Sequence, residues 1–168
     1  LQAQVEQWLN PNTIAGKALP RWMSNALDFM NTPEAHRAEI PAAGGIAAAR
    51  DLARLYACLG NGGSLDGVTI MRPETIAAAT RRQTLRPDAT LIIPIGWALG
   101  YMTGGAMISV SGPRETSFGH AGFGGSNAFA DPEIGLAFGY APNGLVLDLV
   151  GDLRAFALAQ AARACAAG

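Results

Sequence analysis

The sequence predicts an α+β fold in which helices lead into an antiparallel sheet that a C-terminal helix completes. Apolar residues recur at helical spacing over 46–59 and again from about 146 to 166. Between these helices, large and small side chains alternate with a period of two over 95–102, as in a strand. Further strand-like segments then follow one another closely, as in an antiparallel meander: 117–121, 126–131 and 134–141.

Local signals divide this single domain into three segments, 1–45, 46–90 and 91–168. The glycine-rich run at 60–63 predicts the end of the first helix of the middle segment, because glycine accepts the left-handed conformation common after a helix. A second helix is predicted over 73–80, with a proline at its first turn and a basic cluster just beyond its end. That cluster is interpreted as a solvated helix end.

Composition excludes several classes of function. With 168 residues, 49% of them hydrophobic, the chain can bury a core. Twelve basic and thirteen acidic residues leave a net charge of −1 and no basic block, which disfavours nucleic-acid binding. No apolar run of about 20 residues predicts a membrane span, and Cys58 and Cys165 are interpreted as small buried hydrophobes. The compartment, cytoplasmic or exported, stays undetermined.

The most informative segment is the glycine-flanked histidine at 118–126, which reads Phe-Gly-His-Ala-Gly-Phe-Gly-Gly-Ser. It places one of only two histidines between two strand-like segments, beside glycines whose missing side chains let backbone N–H groups face a bound oxygen. A glycine-rich turn with a hydrogen-bonded structural histidine is the alternative. Local chemistry alone favours that alternative over a catalytic wall.

Motif order adds information beyond local chemistry. His120-Ala121-Gly122 is followed by a glycine cluster with Ser126 and Asn127, by a strand ending in Asp-Pro-Glu at 131–133, and by a Gly-Leu-Ala strand at 135–137. This order resembles the C-terminal part of β-lactamase-related serine hydrolases, which include class C β-lactamase-like proteins and family VIII carboxylesterases. The His-X-Gly form is similar to the esterase branch, whereas penicillin-binding proteins and true β-lactamases usually carry Lys-Thr-Gly there.

A second match lies upstream. Thr-Pro-Glu at 32–34, Pro-Ala-Ala-Gly-Gly at 41–45 and the helical pattern beyond them resemble the glycine-containing approach to the helix that precedes the sheet in these hydrolases. The resemblance implies a β-lactamase/penicillin-binding-protein-like fold in which segment 1–45 lines the pocket. Its large apolar residues are candidates for an acyl or alcohol pocket, although a core role is favoured for most of them. They are Trp8, Trp22, Met23, Phe29 and Met30.

Two motifs of the family are missing from the chain. The family nucleophile lies in Ser-X-X-Lys, but the only lysine is Lys17 and Ile14 stands three residues before it. The tyrosine motif that helps proton transfer is also absent. Because both normally precede the matching part, we expect the C-terminal half of a longer hydrolase, inactive alone. Its last strand should lack a neighbour, and it should associate with its N-terminal portion or a second copy.

The resemblance implies a role for each residue of the histidine motif. The missing serine would attack an ester carbonyl, and the N–H of Phe123 would hold the developing oxyanion together with the serine's own N–H. His120 stands where relatives place lysine and would hydrogen-bond the catalytic network or orient the substrate carbonyl. The substrate-binding wall would consist of Ala121, Gly122, Gly124 and Gly125. No metal and no cofactor are implied.

The expected activity is that of a carboxylesterase acting on small esters through an acyl-serine intermediate. A β-lactamase or D-alanyl-D-alanine peptidase-like activity on an amide is one alternative. A non-catalytic binding or assembly module of the same fold is another.

Three local interpretations compete with this reading at lower weight. His120, Ser126 and Asp131 could form a triad around a nucleophile elbow, but position 128 is alanine where the elbow requires glycine. The glycines suggest a phosphate loop, although no G-x-x-x-x-G-K-[ST] is present. His36 and Glu39 are of metal-ligand type, yet with one further histidine in the chain a structural role is favoured.

Overall fold

The computed structural model describes residues 2–18, 26–106, 109–146 and 151–167. The chain forms two compact units. The N-terminal unit comprises Leu1–Ile46 and Pro87–Ile93, and the sheet unit comprises Ala47–Arg86 and Pro94–Gly168. Within the described residues, no helix is both long and apolar enough to cross a bilayer.

Short helices make up the N-terminal unit: α1 (Gln2–Leu9), α2 (Ile14–Ala18), α3 (Ala26–Met30) and α4 (Pro33–Arg37). Thr32 caps α4, since its Oγ1 accepts a hydrogen bond from the N–H of Ala35. Trp8 donates from Nε1 to the carbonyl of Thr90, which joins α1 to the 87–93 segment. Phe29 is 45% exposed and is therefore not one of the core residues; Trp22 and Met23 lie outside the described residues.

The sheet unit contains the remaining elements. They are α5 (Ala49–Gly60), β1 (Ser64–Leu65), β2 (Val68–Thr69), α6 (Pro73–Thr80), β3 (Gly96–Trp97), β4 (Met102–Thr103), β5 (Phe118–Ala121), β6 (Asn127–Asp131), a 3₁₀ turn (Pro132–Ile134), β7 (Leu136–Tyr140) and α7 (Leu153–Ala166). Strands β3 to β7 form one antiparallel sheet in chain order, while β1 and β2 form a separate hairpin. The predicted α+β class and antiparallel meander are confirmed.

Helices α5 and α7 cover opposite faces of this sheet. Tyr56 of α5 belongs to a buried cluster that includes Phe118, Ala128 and Ala130, which share one face because strand side chains alternate. Phe129 points to the other face, where the guanidinium of Arg163 on α7 lies 4.1 Å from its ring centroid. Gly139 lets α5 approach β7 closely, since a methyl group there would come within 2.8 Å of the Ala53 backbone nitrogen.

Two elements differ from the sequence prediction. The strand predicted over 95–102 is a β3–β4 hairpin, because Gly100 adopts a positive φ of 87° and the N–H of Ala98 donates to the carbonyl of Tyr101. The terminal helix begins at Leu153, and its large apolar side chains do not face the sheet. Leu153 is 83% exposed, whereas the buried face consists of Ala155, Ala159 and Arg163. Two of these three residues are alanines, whose small side chains let the helix lie close to the strands.

Strand β7 forms one edge of the sheet. Within the described residues it pairs with β6 alone, from Leu136 opposite Asp131 to Tyr140 opposite Asn127. This agrees with the expectation that the last strand lacks a second neighbour. An edge strand of this kind can pair with a further strand.

Candidate active site

The glycine-flanked histidine lies where β5 turns into β6. Residues 122–126, called here the site turn, close this hairpin through two backbone hydrogen bonds. The N–H of Gly122 donates to the carbonyl of Ser126 at 2.8 Å, and the N–H of Gly125 donates to the carbonyl of Gly122 at 3.1 Å. Gly124 and Gly125 have φ values of 93° and 106°, which L residues with a side chain rarely adopt. The sequence therefore uses glycine here to form a tight turn.

Phe123 occupies the tip of the site turn, and its backbone N–H is the group of interest. Among the residues that the structure describes, this N–H donates to no acceptor, although Gly122 and Gly125 on either side are both bonded. The residue as a whole is only partly buried. A backbone N–H on a turn held by neighbouring hydrogen bonds is one kind of donor from which an oxyanion hole can be built.

His120 is the last residue but one of β5, close to the site turn, and its imidazole is exposed. Its Nδ1 lies 2.5 Å from the carbonyl oxygen of Ala121. A carbonyl can only accept, so Nδ1 carries a proton, and Nε2 is the nitrogen that a neutral ring would offer as an acceptor. The Trp97 ring packs beside the imidazole with centroids 5.7 Å apart, which fixes the ring position on a second side.

The residues predicted to form the substrate-binding wall, Ala121, Gly122, Gly124 and Gly125, have small side chains or none. Ala121 is buried, and strand alternation places its methyl on the sheet face opposite His120. A methyl group at Gly122 would overlap the Ser126 hydroxyl, and one at Gly124 would lie 3.0 Å from Leu145. The missing side chains thus let other parts of the chain pack directly against this backbone, and Gly124 and Gly125 are themselves buried.

The triad interpretation is wrong on geometry. Asp131 lies at the opposite end of β6 from Ser126, roughly 16 Å away for five residues of extended strand. Its carboxylate is fully buried and binds Arg114, with Nη1 to Oδ2 at 3.0 Å. The phosphate-loop interpretation is also wrong, because the site turn leads into β6 and not into a helix.

Metal-binding groups are not brought together around the other histidine. His36 lies on α4, and the described residues contain no group of three or more His, Cys, Asp or Glu side chains able to hold a metal ion.

Sequence reasoning missed the residues that support the site turn from the side. The N–H of Val146 donates to the carbonyl of Gly124, and the carboxylate of Asp152 lies against Gly125. An aspartate directly before a helix is a recognisable N-cap signal, but its contact with a glycine 27 positions earlier leaves no trace in the sequence. Trp97 carried a strand signal only, because its neighbour His120 is distant in the chain.

The fold and this site define the class of protein. A model of the β-lactamase family matches residues 5–163, nearly the whole chain, and the chain belongs to this family. Its relatives are serine hydrolases with the β-lactamase and penicillin-binding-protein fold, as the motif order indicated.

Particular relatives make the position within the family more specific. The Esterase/beta-lactamase LipL of Mycobacterium tuberculosis (strain ATCC 25618 / H37Rv) is 44% identical over 114 residues, which are 67% of this chain and 25% of LipL. A family VIII carboxylesterase structure is 33% identical with a TM-score of 0.77, covering 86% of this chain and 40% of its own. The penicillin-binding protein homolog from Caulobacter crescentus is 40% identical with a TM-score of 0.72, covering 79% and 36%.

A fourth relative extends the match. EstA from Arthrobacter nitroguajacolicus Rue61a is 29% identical with a TM-score of 0.76, and the alignment covers 96% of this chain but 43% of EstA. The chain therefore spans between a quarter and somewhat under half of the length of these relatives.

Proposed function

We propose that this chain is the C-terminal half of a carboxylesterase that hydrolyses small esters through an acyl-serine intermediate. The observation that carries the proposal is the N–H of Phe123, which has no acceptor in the described part of the chain and lies on a tight turn beside an oriented imidazole. A backbone donor of this kind stabilises the tetrahedral oxyanion formed when a serine attacks an ester carbonyl. The esterase names of two relatives support the same substrate class.

The nucleophile is proposed to lie in polypeptide outside these 168 residues. Lys17 is the only lysine and no Ser-X-X-Lys is present, while the relatives are at least twice as long as the part that aligns. The N-terminal portion of the same protein would supply the serine, its lysine and a strand to pair with the free edge of β7. A second copy covering the same edge is the competing partner.

His120 is proposed to accept a hydrogen bond at Nε2. With Nδ1–H donating to Ala121, the free lone pair at Nε2 can receive a proton from the catalytic hydroxyl network or hold a substrate hydroxyl in place. A lysine at this position would offer only donors. This difference favours an ester over a substrate whose carboxylate needs a cation, which places β-lactam hydrolysis second.

Two other functions have specific support. A β-lactamase or peptidase activity is favoured by the 40% identity to the penicillin-binding protein homolog. A non-catalytic binding module is favoured by the missing Ser-X-X-Lys. Comparing the turnover of a short-chain p-nitrophenyl ester with that of nitrocefin distinguishes an esterase from a β-lactamase. Labelling by a fluorophosphonate distinguishes a serine hydrolase from a non-catalytic binding module.

The test uses the complete polypeptide that contains this chain. We expect hydrolysis of p-nitrophenyl butyrate, labelling of one serine outside the chain by a fluorophosphonate probe, and a loss of about a hundredfold in kcat for His120→Ala. His36→Ala is the matched control, because this exposed histidine lies on α4 in the other unit and should leave kcat unchanged. Absence of a labelled serine, or full activity of His120→Ala, would contradict the proposal.

A further inference from the structure

The site turn depends on support from a part of the chain distant in sequence. Gly124 and Gly125 both adopt positive φ, a conformation that glycine reaches freely and also leaves freely. Two segments outside the hairpin restrict this freedom. In the first, the N–H of Val146 donates to the carbonyl of Gly124 at 3.1 Å, and the Leu145 side chain lies 3.0 Å from where a Gly124 methyl group would be.

The second segment contributes a buried carboxylate. Asp152 is 5% exposed, and a methyl group added to Gly125 would lie 2.5 Å from its Oδ2. The carboxylate therefore rests directly on the Gly125 backbone. It is held there as the N-cap of α7, since Oδ1 accepts from the N–H of Arg154 at 2.7 Å.

Arg154 ties both supports together. Its Nε donates to Asp152 Oδ2 at 2.6 Å, and its Nη2 donates to the carbonyl of Gly144 at 3.0 Å. The 144–146 segment and the Asp152 carboxylate are therefore bridged by one guanidinium. Since both of them contact the site turn, one ion pair holds two sides of it.

We propose that Asp152 is a positioning residue for the oxyanion-binding N–H, acting through Gly125 and locked by Arg154. The expected effect on catalysis rests on the proposed function, whereas the expected effect on the conformation of the turn does not. A turn of glycines would otherwise sample several backbone conformations, and an oxyanion donor is effective only when it is fixed before the reaction. The hydrogen bonds from Arg154 also lower the pKa of Asp152, which keeps the carboxylate charged and bound.

The experiment compares Asp152→Asn with Asp66→Asn in the complete polypeptide. Asp66 makes a similar ion pair with Arg54 at 2.7 Å, but both side chains are more than half exposed, and the pair joins the β1–β2 turn to α5. Hydrogen exchange of a peptide covering 122–127 reports the turn directly. We expect exchange there to be at least severalfold faster in Asp152→Asn only, and kcat for p-nitrophenyl butyrate to fall about tenfold with KM nearly unchanged.

The outcomes separate the two proposals. Unchanged exchange at 122–127 in Asp152→Asn overturns the positioning role, whatever the activity. Faster exchange with unchanged kcat also overturns it, because the turn would then not serve the reaction. If the wild-type protein neither hydrolyses the ester nor binds the fluorophosphonate, the proposed function fails while the exchange result still decides whether Asp152 fixes the turn.

A second variant covers the case in which Asp152→Asn does not fold. Arg154→Gln retains the N-cap carboxylate and changes a side chain that is nearly half exposed. It removes the bridge to Gly144, so the same change in exchange is expected with a smaller loss in kcat. Exchange equal to wild type in this variant would overturn the role of the ion pair.

Discussion

The two ends of the β5–β6 hairpin are built in opposite ways. At the site turn three of the five residues are glycine, the N–H of Phe123 has no acceptor among the described residues, and the imidazole of His120 is exposed. At the other end Asp131 is fully buried, bonded to Arg114, and followed by a proline-led 3₁₀ turn. Both ends belong to the same two strands, so the difference lies in what each end must do.

The Asp131 end of the hairpin carries the structural support that the site turn does not provide for itself. The Asp131 end fixes the strands by burial and charge pairing. Arg114 forms a second ion pair there, with its Nε 3.5 Å from Oε2 of Glu133. The site turn can then leave a polar group unpaired without loosening the sheet. Unpaired polar groups cost free energy when buried, so a partly exposed turn is where the fold can carry one.

Removal of the Phe123 N–H should have the largest effect on activity. Phe123→Pro deletes the donor, and loss of one oxyanion donor typically lowers kcat by about a hundred- to a thousandfold. Phe123→Ala keeps the N–H and serves as the control, with kcat within about threefold of wild type expected for a side chain that plays a secondary part. Steady-state ester hydrolysis measures both, and equal losses in the two variants would remove the distinction between backbone and side chain.

Removal of the Asp131 carboxylate should have the largest effect on stability. Asp131→Ala leaves the buried Arg163 without the nearby charge that favours its protonated form, and it leaves Arg114 with its more exposed partner Glu133. We expect the free energy of unfolding to fall by about 3 kcal/mol, measured by urea denaturation. Glu133→Ala, which removes the exposed partner, should cost less than about 1 kcal/mol. Similar losses for the two variants would contradict the contrast.

A glycine outside the site turn should give a smaller change. Gly135 has a φ of 61° and open space around it, so Gly135→Ala costs only the strain of the left-handed conformation, about 1 kcal/mol. Gly135→Asn should cost less, because asparagine tolerates this conformation. Thermal unfolding of the two variants checks the order, and ester turnover should stay at the wild-type level in both.

Acid should weaken the Asp152 support by the smallest amount. The pKa of Asp152 is lowered mainly by the hydrogen bond from Arg154, so its contribution to stability is complete above the ordinary aspartate value of about 3.9. It is lost as pH falls further, through the lower pKa of the folded state. Urea unfolding between pH 5 and about 2.5 should therefore show a shallower loss of stability in Asp152→Asn than in wild type, whereas parallel curves would contradict the shift.

The sequence specified the parts of the fold that depend on neighbouring residues. Helix α6 has the predicted bounds at Pro73–Thr80, and β5 and β6 begin within one residue of the prediction, because turn glycines and apolar periodicity are local signals. The buried face of α7 does not follow the apolar spacing of the sequence, since Ala155 and Ala159 are buried while the larger Leu153 and Phe156 are exposed.

The candidate site follows the same rule. His120 and the glycines after it could be singled out because they are contiguous, and the family resemblance gave Phe123 its proposed role. Trp97 beside the imidazole and Asp152 against Gly125 are long-range contacts between β3, the site turn and the start of α7. Such contacts arise only when the chain is folded, and a single sequence contains no record of them.

The central claim is that the N–H of Phe123 forms half of an oxyanion hole. Its most direct test is a crystal structure of the complete polypeptide labelled at its nucleophile by a phosphonate ester, whose phosphoryl oxygen imitates the oxyanion. We predict that this oxygen lies about 2.7–3.1 Å from the backbone nitrogen of Phe123. An oxygen bound by other donors, with the Phe123 nitrogen beyond hydrogen-bond distance, would contradict the account.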